Sequence, residues 1–105
     1  MPGYAISMNM SSSNWNQTAL SKPALLINAA HHARELNTIA MTEYVMLRLL
    51  FDYVQNDTAT LDLLTFTTLL VIPVVNLDGY QAISDYYQKY GNFTYIRKNR
   101  HSYST

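Results

Sequence analysis

The stretch PALLINAAHHARE, residues 23–35, joins a short apolar run to five residues that hold two imidazoles, a guanidinium and a carboxylate. The run PALLINAA is almost continuously apolar, which predicts a strand covered on both faces. A charged cluster directly after such a strand has two interpretations. It either begins a helix and stabilises that helix through local ion pairs, or it binds a ligand.

Residues 36–55, which follow this cluster, are predicted to form a helix because apolar residues recur at steps of four and three. The apolar positions are Ala40, Tyr44, Leu47, Phe51 and Val54. The opposite face is polar, but Val45 and Leu49 interrupt it. This interruption predicts a helix that is more than half buried.

The N-terminal part of the chain predicts a strand followed by a loop. In YAISMNM, residues 4–10, large apolar side chains alternate with small or polar ones, a period of two that is typical of a half-buried strand. The polar, turn-prone residues 11–22 predict a loop. Trp15 is expected to anchor this loop by packing against the rest of the protein.

Two elements are predicted after the long helix. DTATLDLL, residues 57–64, predicts a short helix with Asp57 or Thr58 as its N-cap. FTTLLVIPVV, residues 66–75, is rich in β-branched residues and predicts a third strand. Pro73 lacks a backbone donor, so it is expected near the end of that strand.

The order of these elements predicts an α/β fold, with part of a mixed sheet and helices packed on it. The second strand, the long helix and the third strand form a βαβ unit with a right-handed crossover if the two strands are parallel. Ligand crevices in such sheets lie at the carboxyl ends of the strands. HHARE, residues 31–35, follows one strand, and NLDGY, residues 76–80, follows the next with NLDG as a predicted turn. We expect both clusters on the same rim.

Composition excludes several classes of protein. The chain has 105 residues, 49% of them hydrophobic and 13% charged, which suits one small domain with a buried core. Seven basic residues balance seven acidic ones, so neither a nucleic acid nor an anionic membrane is an expected partner. The absence of cysteine excludes disulfides and cysteine-ligated metals. No signal peptide is visible, and the longest apolar run, residues 69–75, is far too short to span a membrane.

His32 and Glu35 are candidate metal ligands. Positions three apart at a loop-to-helix junction face the same way, so one imidazole nitrogen and one carboxylate can converge on one cation. Zinc accepts such a pair, but catalytic zinc sites generally use three protein ligands. His31 is an alternative second ligand, but as the neighbour of His32 it is expected to point elsewhere. The alternative interpretation is an exposed helix start with local ion pairs.

Two arginines also have a functional and a structural interpretation. Arg34 lies between the candidate ligands, where it could bind a substrate carboxylate or carbonyl in bidentate fashion. Its structural alternative is a salt bridge to Glu35 or Glu43. Arg97 begins the basic run RKNR, residues 97–100, which is either a solvated loop or the source of a second guanidinium for the site.

HHARE, IPVVNLDGY and RKNR, in this order and spacing, resemble the M14 zinc carboxypeptidases, the carboxypeptidase A/B-like family. The resemblance implies zinc as the cofactor and the C-terminus of a peptide or protein as the substrate. It implies that His32 and Glu35 are the first two zinc ligands and that Arg34 is the active-site arginine beside them. It also implies that Arg97 polarises the scissile carbonyl and stabilises the oxyanion. Leu77 stands where the family's N-P-D-G-Y turn has proline, which puts no catalytic role in doubt.

The resemblance also implies groups that have no position in this sequence. The family's third ligand is a distant histidine, and His101 lies too close to RKNR to fill that role. The catalytic glutamate, the Asn-Arg pair that binds the terminal carboxylate and the tyrosine that closes over the substrate are likewise missing. Residues 1–105 are therefore expected to be the N-terminal part of a carboxypeptidase domain. The family includes extracellular enzymes, but the sequence does not identify the compartment.

Two alternatives to the peptidase remain open. One is a related zinc amidohydrolase or deacylase, which also uses H-x-x-E, although the H-A-R-E and N-x-D-G-Y forms favour the peptidase. The other is a truncated, non-catalytic fragment that binds a metal or a partner weakly. Whether the chain is part of a peptidase or a non-catalytic fragment, residues 1–105 alone are expected to have no carboxypeptidase activity.

Overall fold

A three-stranded mixed sheet with three α-helices makes up the regular structure of the described residues. The computed structural model describes residues 3–11, 13–14, 16–17 and 21–100. Within them the elements follow the order β1 (Tyr4–Ile6), β2 (Ala24–Asn28), α1 (Asn37–Val54), α2 (Thr58–Phe66), β3 (Thr68–Ile72) and α3 (Leu77–Tyr90). This architecture confirms the predicted α/β class and the mixed sheet. No helix in the described part of the chain is long and apolar enough to cross a membrane.

β3 is the central strand, and it pairs with the two others in opposite senses. Its partner β1 is antiparallel, with Ala5 opposite Leu70, and its partner β2 is parallel. In the parallel pair Asn28 lies opposite Ile72, so β2 and β3 end at the same edge of the sheet. The two strands are therefore parallel, as the predicted βαβ unit requires, and the two segments that follow them start side by side.

The backbone continues this pairing beyond the strand ends, as the predicted shared rim requires. The amide of Val75 donates to the carbonyl of Ala29 at 2.9 Å, and that of Asn76 donates to Ala30 at 3.0 Å. Residues 29–30 and 75–76 therefore lie against each other. The two polar clusters begin on one rim of the sheet.

The core lies between the sheet, α1 and α2. Leu64, Leu69 and Val71 form its buried centre, and the partly buried Ile6, Met8 and Leu49 pack against them. β1 is shorter than the predicted strand of residues 4–10, because the chain turns at residues 8–9. Met8 still reaches the core from this turn. The prediction for Trp15 lies outside the described residues.

The predicted burial of β2 on both faces is wrong. Leu25 and Leu26 are each 52% exposed, although their side chains point to opposite faces of the strand. β2 is an edge strand within the described part of the chain, which leaves one of its sides without a neighbour. An apolar run predicts that a strand can be buried, but the number of neighbouring elements decides whether it is.

The predicted burial of α1 is also wrong. Its apolar stripe faces outward: Tyr44, Leu47, Phe51 and Val54 are between 59% and 69% exposed. The opposite face packs inward through the buried Thr42 and the partly buried Ile39, Met46 and Leu49. The periodicity identified the bounds of the helix correctly within one residue at each end. It did not identify the buried face, because the face that contains Leu49 is the one that packs against the core.

Local capping explains the ends of α2 and α3. Asp57 is the N-cap of α2, where its carboxylate accepts the amide of Thr60 at 2.9 Å, as predicted. Pro73 directly follows β3, also as predicted. The predicted turn at residues 76–79 is wrong, because Asn76 caps α3 and the next three residues form its first helical turn. Asp78 in that turn has a favourable interaction with the helix dipole.

Candidate functional site

The loop that carries the charged cluster is a compact turn between β2 and α1. The amide of Glu35 donates to the carbonyl of His32 at 3.0 Å, which closes the turn. The hydroxyl of Thr38 donates to the carbonyl of Glu35 at 2.6 Å and accepts the amide of Ala30 at 3.1 Å. Ala33 is completely buried at the centre of the turn. The loop therefore presents its charged side chains from a backbone that is held at several points.

His32 and Glu35 lie next to each other on the surface of this loop. Nδ1 of His32 is 3.0 Å from Oε1 of Glu35, and their side chains are 37% and 45% exposed. The expected convergence at positions i and i+3 is present. A zinc ion at 2.0–2.2 Å from each atom fits a nitrogen and an oxygen at this separation. Without a metal the same two groups form a hydrogen bond, so the geometry suits both interpretations of the pair.

His31 points away from this pair. Its Nε2 lies 2.8 Å from Oδ1 of Asn28, the last residue of β2. This contact agrees with the expectation that two neighbouring histidines would face different directions. His31 is also exposed and lines a separate polar cleft of about 440 Å³ with Asp78 and Asn99.

Arg34 lies at a second cleft, of about 490 Å³, together with Glu35. Phe93 and Tyr95 also line this cleft. The salt bridges considered for Arg34 do not form: the ion pairs within the described residues are His32–Glu35 and Arg48–Asp52. Its exposed guanidinium is therefore available to an anionic group in the cleft.

The segment containing Arg97 lies directly beside the charged loop. The carbonyl of Arg97 accepts the amide of Ala33 at 3.1 Å. Ala33 lies between His32 and Arg34 in the sequence. Its hydrogen bond therefore holds the backbone of Arg97 next to both residues. Arg97 and Ala33 are more than 60 positions apart in the sequence. The third motif thus joins the first at the carboxyl edge of the sheet.

Asn76 is a functional candidate that the sequence interpretation missed. Its side chain is buried, and Nδ2 lies within hydrogen-bond distance of the carbonyls of His31, at 3.3 Å, and Arg97, at 3.5 Å. Oδ1 accepts the amide of Gly79 at 3.1 Å. An asparagine at the end of an apolar strand could have signalled an N-cap, but only the fold brings the other two segments to it.

The fit to zinc is incomplete in the described part of the chain. His32 and Glu35 can supply two ligands, but no group of three or more His, Cys, Asp or Glu side chains suitable for a metal occurs there. Catalytic zinc sites typically have three protein ligands and one open position. The described residues therefore offer two candidate ligands, one fewer than such a site uses.

The comparison with known families agrees with the motifs and their arrangement. The family model described as zinc carboxypeptidase, Peptidase M14, matches residues 2–105. No match was found among curated proteins.

Proposed function

Because this chain belongs to the zinc carboxypeptidase family, we propose that its residues form part of an active site for zinc-dependent hydrolysis of C-terminal peptide bonds. The observation that carries the proposal is the adjacency of His32 and Glu35, with Nδ1 and Oε1 3.0 Å apart. Membership supports hydrolase chemistry in general. The peptide C-terminus as substrate is part of the proposal.

His32 and Glu35 are the proposed metal ligands. Neutral imidazole and carboxylate are both common ligands of zinc, and this pair is accessible to an ion from solvent. The chemistry that zinc supplies in such sites is polarisation of a carbonyl and activation of water. The hydrogen bonds of Thr38 to the Ala30 amide and the Glu35 carbonyl hold the loop backbone from which the two side chains extend.

Arg97 is the proposed catalytic residue, and Arg34 is a proposed substrate-binding residue with it. A guanidinium binds carboxylates and oxyanions through parallel hydrogen bonds. A donor positioned at the developing oxyanion of a scissile carbonyl contributes strongly to catalysis. The backbone contact between Arg97 and Ala33 supports this role, because it holds Arg97 near the proposed ligands.

The proposal requires groups that the described residues do not provide. A third zinc ligand is absent from them, and two of their carboxylates already have structural partners. Asp52 pairs with Arg48, and Asp57 caps α2. We therefore expect the 105-residue chain alone to release no C-terminal amino acids from peptides. This same observation favours the second candidate function, a non-catalytic chain with weak metal binding.

The metal role can be tested by titrating the chain with Zn²⁺ in a calorimeter. His32→Ala and Glu35→Gln should each weaken binding by a factor of about 10 or more, since each removes a direct ligand. His31→Ala is the matched control and should leave the affinity unchanged. Loss of binding in His31→Ala with retention in His32→Ala would contradict the assignment.

The catalytic part can be tested with a mixed peptide panel and added Zn²⁺. No turnover is expected from the chain. Turnover that a chelator blocks and His32→Ala abolishes would show that the site is complete. Absence of Zn²⁺ binding in the wild-type chain would contradict the second candidate function, weak metal binding by these residues alone.

A further inference from the structure

Asn76 uses both ends of its side chain in a buried position. It is only 7% exposed, and its Oδ1 accepts the amide of Gly79 in the first turn of α3. A carboxamide has two N–H donors, and two backbone carbonyls lie within reach of Nδ2. These are the carbonyls of His31 and Arg97, at 3.3 and 3.5 Å. Capping of the helix therefore uses only one part of this side chain.

The two carbonyls belong to the two segments that carry the proposed active-site residues. His31 precedes the proposed ligand His32, and Arg97 is the proposed catalytic arginine. The backbone amide of Ala33 also donates to the Arg97 carbonyl, at 3.1 Å. The backbone amide of Asn76 donates to the carbonyl of Ala30 at 3.0 Å. Asn76 therefore bonds the charged loop through both its backbone and its side chain, while it also contacts the Arg97 segment.

Close packing leaves little room for this arrangement to shift. A Cβ atom added to Gly79 would lie 2.7 Å from Cβ of Ala33 and 2.7 Å from Oδ1 of Asn76. Cβ atoms essentially never approach other heavy atoms this closely, so a larger residue would push these groups apart. Glycine at this position lets α3 approach the charged loop closely enough for Asn76 to reach both carbonyls.

We propose that Asn76 is a positioning residue that holds Arg97 in place relative to His32 and Glu35. This inference rests on the proposed function. Asn76 acts through the backbone of the other residues, and its side chain is buried beneath the loop. Catalysis is sensitive to displacements of about 1 Å in the reacting groups. A hydrogen bond that holds two active-site segments together therefore affects the rate.

Hydrogen exchange can separate positioning from helix capping. Asn76→Asp keeps an oxygen acceptor for the Gly79 amide and removes both donors to the carbonyls, whereas Asn76→Ala removes all three contacts. In both variants the Ala33 amide should exchange faster, by up to about tenfold, because the Arg97 carbonyl is no longer held. The Gly79 amide should exchange faster only in Asn76→Ala. The amide of Ile83 in α3 reports whether each variant is folded.

If Asn76 serves only as a helix cap, Asn76→Asp will protect Ala33 as well as the wild type does. That result would overturn the proposal. An Asn76→Ala chain that has lost protection at Ile83 is unfolded, and in that case the comparison between wild type and Asn76→Asp decides. Unchanged exchange at Ala33 in folded Asn76→Asp remains the contradicting outcome.

A paramagnetic ion provides a second test that capping would not affect. Co²⁺ bound at His32 and Glu35 should broaden the amide signals of Glu35 and Arg97, an effect that falls steeply with distance. In Asn76→Asp, which keeps the acceptor for the Gly79 amide, the broadening at Glu35 should remain, and that at Arg97 should weaken. Equal broadening at Arg97 in both proteins would contradict the positioning role.

The same measurement distinguishes this inference from the proposed function. His32→Ala should abolish the broadening at Glu35. If Glu35 is not broadened in the wild type, or if His32→Ala has no effect, the proposed metal pair is wrong. The exchange result at Ala33 would then still decide whether Asn76 holds the two segments together.

Discussion

The hydroxyl oxygen of Thr38 lies 3.1 Å from the backbone nitrogen of Ala30 and accepts a hydrogen bond from this amide. Ala30 is buried and has a φ of 51°, in the left-handed region that residues with a Cβ rarely adopt. The chain turns sharply here, between the end of β2 and the charged loop. A side chain from the first turn of α1 thus stabilises the backbone conformation from which the candidate site is built.

Thr38→Val should therefore destabilise the loop. The change leaves the Ala30 amide without its acceptor, so we expect the free energy of unfolding to fall by about 1 kcal/mol. Exchange of the Ala30 amide should accelerate. Urea unfolding and hydrogen exchange measure the two effects.

Thr65→Val is the matched control for this change. The Thr65 hydroxyl donates to the carbonyl of Leu61 one turn earlier in α2, and among the described residues it bonds no other segment. Its loss should alter the free energy of unfolding by no more than about 0.5 kcal/mol. Equal effects of both substitutions, or unchanged exchange at Ala30, would show that Thr38 does not hold the turn.

Thr68→Val should stabilise the protein. Thr68 is completely buried in β3, and its hydroxyl has no hydrogen-bond partner among the described residues. An unpaired buried hydroxyl carries a desolvation cost, so its removal should raise the free energy of unfolding by about 1 kcal/mol. Thr42→Val provides the contrast, because the buried Thr42 hydroxyl donates to the Thr38 carbonyl at 2.8 Å. A stabilisation by Thr42→Val of the same size would refute the explanation.

The N-cap of α2 should make stability depend on pH in the acidic range. The amide of Thr60 donates to the Asp57 carboxylate, and this interaction lowers the pKa of Asp57 in the folded protein. A lowered folded-state pKa adds stability above the unfolded-state value of about 3.9. The added stability is lost as the pH falls through the folded-state pKa, because the carboxyl is then protonated in both states.

Asp57→Asn tests this dependence, since asparagine also caps helices but does not titrate. The difference in unfolding midpoint between wild type and Asp57→Asn, followed from pH 7 to pH 2 by circular dichroism, should decrease below about pH 4. A difference that is constant over the whole range would exclude Asp57 as the titrating cap.

The exposed apolar stripe of α1 should limit the solubility of the chain. Leu47 and Phe51 are 62% and 59% exposed on adjacent turns, and exposed apolar patches promote association. The double variant Leu47→Lys, Phe51→Lys should scatter less light at high concentration. Its free energy of unfolding should change little, by about 0.5 kcal/mol or less per position.

Leu49→Lys is the control on the inward face of the same helix. Leu49 packs against the core, so a charge there should lower the free energy of unfolding by about 1–3 kcal/mol. If the Leu47 and Phe51 substitutions destabilise the protein as strongly as Leu49→Lys does, the assignment of the two faces is wrong.

The sequence by itself determined the local features of this protein. Period, β-branching and capping residues identified β2, β3, α1 and α2 within a few residues, because these signals depend on neighbours along the chain. The spacing of His32 and Glu35 likewise predicted that their side chains would meet. The helix α3 was missed because NLDG is typical of turns, whereas Asn76 uses the same residues to cap a helix.

Burial and the connection between distant motifs were decided only by the tertiary structure. An apolar stripe shows which side of α1 can be buried, but the elements around it decide that Thr42 and Leu49 face inward. The contact between Arg97 and Ala33 is likewise absent from any local pattern. It arises because β2 and β3 are parallel and end together, so that Asn76 can bond segments far apart in the chain through one buried side chain.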